Sequence, residues 1–84
     1  MHANLQDWKN GWFGLQLSAS PEEIRQLIVQ LEELLEDTGQ HFHIGSDYKA
    51  DSGLGDIEIS VQDPSEPDNL FLTGLAMRPG ESTP

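Results

Sequence analysis

The sequence predicts an α+β two-layer sandwich, in which one amphipathic helix packs on a four-stranded, mainly antiparallel sheet in the chain order β-α-β-β-β. Three observations lead there. The stretch from Ser20 to Gly39 carries helical periodicity between marked ends, several other stretches alternate apolar and polar residues, and the segments between them are rich in Gly, Pro, Asp and Asn. The chain of 84 residues is read as a single domain spanning 1–84, with 1–10 and 79–84 flexible.

The helix is the element on which the rest is expected to pack. Ser20 can cap the first turn, and Pro21 suits the first helical position because its missing N–H would have been unpaired there. Glu23, three residues after Ser20, completes a capping box, and Gly39 is expected to end the helix. Ile24, Leu27, Ile28, Leu31 and Leu35 fall on one stripe with Leu34 at its flank, while Glu22, Glu32, Glu33, Glu36 and Asp37 fall mainly outside it. The stripe predicts the core-facing side.

The sheet is read from residues alternating with period two. Trp12 to Ala19 puts Phe13, Leu15 and Leu17 on one side and Trp12 and Gln16 on the other. In the stretch from His41, Phe42 and Ile44 oppose His41 and His43. Ile57, Ile59 and Val61 alternate with Glu58, Ser60 and Gln62 without exception. A last strand, Leu70 to Arg78, is apolar on both faces. Leu70, Leu72 and Ala76 form one register and Phe71, Leu75 and Met77 the other, so its outer face needs a cover: Trp8 with the N-terminal segment, a twin subunit or a partner.

Charge narrows the partners. Fifteen acidic against four basic side chains give a net charge of −11, which repels a phosphate backbone, and Lys9, Arg25, Lys49 and Arg78 are scattered rather than clustered. Nucleic acid is disfavoured and a basic protein favoured. Without cysteine there is no disulfide framework or thiolate metal site. No apolar run has the length of a membrane span and the N-terminal residues lack signal-peptide features, so a cytoplasmic protein with no membrane role is expected.

Residues with chemistry are few. His41 and His43 share a strand face that Glu58 or Ser60 can oppose, and two histidines with a carboxylate can hold zinc, with Asp47 or Asp51 as a further donor. Without an HExxH motif or a His-rich tract, the reading adopted is a surface or partner-contact role, with no metal, cofactor or catalytic residue assigned. Asp47 to Glu58 has the length of a calcium loop, but Lys49 stands at a ligand position and Ser52 where the turn needs Gly. No serine stands in a nucleophile elbow. The chain is therefore read as non-catalytic. The expected binding surface is the outer sheet face, comprising Trp12, Gln16, His41, His43, Glu58 and Ser60, joined by Phe71 and Leu75 of the last strand.

Within Gln40 to Val61, HFHIGSDY entering a hairpin and GDIEISV leaving it, in a small acidic chain, resemble the small immunity proteins that bacteria encode beside polymorphic toxins. The resemblance implies a non-catalytic protein that neutralises a toxin by covering its active site, and the charge makes a basic nuclease a sensible target. A homodimeric accessory protein is the alternative, and a His-dependent metal-binding protein a third.

Overall fold

The computed structural model describes residues 1–74. Five elements follow one another: β1 (His2–Asp7), β2 (Phe13–Ser18), α1 (Pro21–Glu36), β3 (His41–Gly45) and β4 (Asp56–Ser60). They form two separate antiparallel two-stranded sheets, β1–β2 and β3–β4, which corrects the expectation of one four-stranded sheet. The class is still a small α+β fold with one helix.

The first sheet contains a strand that was not anticipated. HANLQD has one strongly apolar residue, Leu5, and little strand propensity of its own. It is extended because β2 lies beside it, with His2 opposite Ser18, Leu5 opposite Leu15 and Asp7 opposite Phe13. The loop between them is made by side chains that bond the backbone two residues on. Lys9 N donates to Asp7 Oδ1 at 2.7 Å and Trp12 N to Asn10 Oδ1 at 3.0 Å. Gly11 sits at φ +92°, where a side chain would be strained. Trp8 folds back over Gly14 so closely that a Cβ there would lie 2.9 Å from its ring. With β2 paired to β1, it does not join β3 and β4.

The helix N-terminus is built as its sequence predicts. Glu23 N donates to Ser20 Oγ at 3.2 Å, and Ser20 N donates to Glu23 Oε1 at 3.1 Å. The Met1 amino group adds bonds of 3.0 Å to both Glu23 oxygens. The helix stops at Glu36 with Asp37 as an extended C-cap, so Gly39 is not the stop; its N–H instead donates to Asp37 Oδ1 at 3.1 Å.

Burial departs most from expectation. Leu34, placed at the flank of the stripe, is the buried hydrophobic residue of the described chain at 6% exposure. Leu27 and Glu23 are half-buried, whereas Ile24, Ile28, Leu31 and Leu35 are exposed at 46, 50, 45 and 79%. At about 100° per residue, the buried face lies roughly a quarter turn from the centre of the exposed strip. Phe42, Ile44, Ile57 and Ile59 are half-buried, but Phe13, Leu15, Leu17 and Val61, expected in the core, are exposed. An open cleft of about 730 Å³ separates Leu27 from Phe42 and Ile44. Another, of about 590 Å³, lies between Leu17 and Ile57.

The last expected strand does not form where it is described. Leu70 to Gly74 has no regular structure, and Leu70, Phe71 and Leu72 are almost fully exposed. Its remaining residues, including Leu75, Ala76 and Met77, lie outside the described residues, as does the expected flexible tail 79–84. The preceding turn is held locally: Asp63 Oδ1 accepts from Ser65 N at 2.9 Å and Ser65 Oγ at 2.8 Å, bonds that pull the Asp63 pKa down, while Gln62 Nε2 donates to Glu66 O at 2.8 Å. Among the described residues, no further strand pairs with β4.

Candidate functional site

Two surfaces carry unusual chemistry. The first is the outer face of β3–β4. Alternation puts His41 and His43 on one face of β3, and Asp56, Glu58 and Ser60 share the corresponding face of β4. The register sets His41 opposite Ser60 and His43 opposite Glu58. Diagonal neighbours across an antiparallel pair also lie within reach of long side chains, so each carboxylate can address a histidine out of step with it.

His43 Nδ1 is hydrogen-bonded to Asp56 Oδ2 at 2.8 Å. Its other nitrogen, Nε2, points at Glu58 Oε1 at 3.6 Å, and His41 Nε2 approaches the same oxygen at 3.7 Å. The two imidazoles meet edge to face with centroids 5.0 Å apart. The bond to Asp56 raises the His43 pKa above its ordinary value, the charges of Asp56 and Glu58 add to that, and partial desolvation opposes it. All four side chains are about half exposed.

The second surface is the outer helix face. Ile24, Ile28, Leu31 and Leu35 form a continuous apolar strip, and Glu32 and Glu36 lie along one border of it. Glu33, Glu36 and Asp37 crowd the C-terminal end, where the helix dipole is already negative, and the last turn has no basic residue to offset it. Such acids cost local helix stability, about 0.3–1 kcal/mol each when exposed. The arrangement conflicts with helix stability and focuses negative potential beside the apolar strip.

The expected binding surface is divided between the sheets. His41, His43, Glu58 and Ser60 do come together on β3–β4. Gln16 belongs to β2, where its Oε1 accepts from Asn4 Nδ2 at 3.4 Å, and Trp12 lies exposed in the loop before β2. Neither shares a sheet with the histidines. Phe71 is outside any strand, and Leu75 is outside the described residues. Asp47 and Asp51, considered as metal donors, are not in the histidine cluster; Asp47 instead pairs with Lys49 Nζ at 3.8 Å and accepts from Lys49 N at 3.2 Å.

Two features went unread in the sequence. Asp56 shares the parity of Glu58 and Ser60, and that parity was the available signal for it. The exposed helix strip was visible as a pattern but read as core. No protein-family model, curated protein or solved structure matches the chain. No helix among the described residues is long and apolar enough to cross a membrane.

Proposed function

We propose that this chain is a non-catalytic, acidic protein-binding domain whose helix face receives a basic protein partner, in the manner of an immunity or inhibitor protein that covers a basic toxin or nuclease. The observation that carries the reading is the exposed strip Ile24, Ile28, Leu31 and Leu35, bordered by Glu32 and Glu36 at the negative end of the helix. An apolar centre with a charged rim is the composition of a protein interface. The charge selects the occupant. A second copy would bring two charges of −11 together, whereas a cationic surface is steered in and gains contacts with the acidic rim. Acids retained where they weaken the helix also fit a surface kept for binding rather than for stability.

The test is co-expression with the product of the neighbouring gene, followed by binding measurements at low and high salt. The expected result is relief of that protein's toxicity and association that slows markedly as salt rises, since charges are screened beyond about 8 Å at physiological ionic strength. Ile28→Asp with Leu35→Asp should abolish binding and leave the circular dichroism of the helix in place. A neighbour that is neither toxic nor basic, or binding indifferent to both salt and the double substitution, overturns the proposal.

A further inference from the structure

A separate property resides on the other surface and does not depend on the partner. We infer that His41, His43 and Glu58 form a binding site for one zinc-class divalent cation, with Asp56 as the positioning residue for His43. Three ligand atoms, one from each residue, all lie within 4.8 Å of one another. Glu58 Oε1 stands 3.7 Å from His41 Nε2 and 3.6 Å from His43 Nε2. These separations exceed a hydrogen bond, which runs at about 2.7–3.2 Å. They are close to the separation that a tetrahedral zinc ion imposes on its ligands, about 3.3 Å for bonds of 2.0–2.1 Å. A few tenths of an ångström closes the two Glu58 contacts to that value, and the two histidine nitrogens, which lie within 4.8 Å of one another, are brought in by rotamer adjustment of exposed side chains.

The second observation is the Asp56–His43 bond. Histidines that ligate metals almost always donate their other ring N–H to a carboxylate or carbonyl, which fixes the tautomer and aims the free nitrogen at the ion. Here Asp56 Oδ2 holds Nδ1 at 2.8 Å and Nε2 is the nitrogen that faces Glu58. An ordinary surface pair would not require His43 to address two carboxylates with its two nitrogens. The imidazole donors select a late first-row ion such as Zn²⁺ over Mg²⁺ or Ca²⁺, which prefer all-oxygen sets. Three protein ligands on an exposed face leave a fourth position for water.

The ion would join β3 to β4. A two-stranded sheet is marginal on its own, and a ligand that binds only the folded state raises the folded-to-unfolded ratio by a factor of 1 + [L]/Kd, about 100-fold at 100 times Kd.

The experiment titrates Zn²⁺ into the full chain, made without a His tag, by calorimetry and thermal melting. Co²⁺ serves as a spectroscopic probe of tetrahedral geometry, and imidazole nitrogen shifts are followed by NMR. The expected result is one ion per chain, a rising melting temperature, and Nε2 shifts at both His41 and His43. Glu58→Gln and His43→Ala should each weaken binding at least tenfold, and Asp56→Asn about 10- to 100-fold, the range for a second partner of a ligating histidine. His2→Gln is the control for chelation at the chain terminus and should change nothing, because His2 lies in β1. Glu58→Gln is near-isosteric on an exposed face, so lost binding with an unchanged dichroism spectrum is not a folding defect. Failure to bind below millimolar Zn²⁺, binding lost only in His2→Gln, or full affinity in both Glu58→Gln and His43→Ala overturns the inference.

Discussion

Truncating two leucines one turn apart distinguishes the observed helix orientation from the one its periodicity predicts. Leu31 is at the centre of the apolar stripe and Leu34 at its flank, yet Leu34 is 6% exposed and Leu31 45%. Burying a leucine fully contributes about 1.5–3 kcal/mol, and Leu→Ala in a close-packed core costs about 2–5 kcal/mol once the cavity is included. At 6% exposure Leu34 falls in that class, which places Leu34→Ala at about 2–5 kcal/mol. Leu31 is covered over roughly half its surface, so Leu31→Ala should cost about 1 kcal/mol. The assay is urea unfolding followed at the helical circular dichroism signal, at protein concentrations where the chain is monomeric. If Leu31→Ala is as damaging as Leu34→Ala, the stripe faces the core and the helix is rotated by about a quarter turn from the orientation described.

Further outcomes follow from the cap and the first hairpin. The Met1 amino group and then the Ser20 backbone and hydroxyl lower the Glu23 pKa, so this carboxylate stabilises the fold above its ordinary unfolded value, and the contribution is lost as pH falls through the lower folded value. Helix content followed from pH 6 to 2 should decline in that acidic window in the parent chain, and Glu23→Gln should make the decline shallower; an identical acid profile would refute the assignment. Ser20→Ala should cost about 1 kcal/mol through the lost cap, and an unchanged urea midpoint would show that the capping box does not contribute. Gly14→Ala in a Trp12→Phe background should displace the Trp8 ring, seen as a red shift of its emission, and a superimposable spectrum would mean that the ring does not lie over Gly14.

The parts legible in the sequence are those fixed by neighbours along the chain. Ser20, Pro21 and Glu23 act within one turn, so the helix start could be read directly. Phe42 and Ile44 against His41 and His43, and Ile57 and Ile59 against Glu58 and Ser60, gave β3 and β4 with their faces, because alternation is intrinsic to a strand. Pairing is a different quantity. Nothing in HANLQD reveals that it will take β2 as its partner, since that depends on the loop that returns the chain at Gly11. The stretch from Leu70 was read as a strand apolar on both faces, but over Leu70 to Gly74, where it is described, alternation alone does not supply the neighbour whose hydrogen bonds a strand needs. At the candidate sites, residue parity showed which histidines share a face, while the diagonal placement of Asp56 against His43 required the register. The helix stripe was correctly seen as apolar, and Leu27 with the flanking Leu34 is covered, but Ile24, Ile28, Leu31 and Leu35 were assigned to the interior and are exposed, because hydropathy measures the tendency to leave water and not the surface on which this occurs.

The separation of the two sheets has a consequence for cooperativity. No ladder hydrogen bond links β1–β2 to β3–β4, and each sheet is closed by its own loop between adjacent strands. Each can therefore open with little reference to the other, so amide protection should fall into two groups with different opening free energies rather than one global value. Local closure of this kind is fast, because little chain entropy is lost before the first contacts form. The helix between them, with Leu34 as its well-covered anchor, and the cleft that Leu17 and Ile57 share are the places where coupling between them can arise.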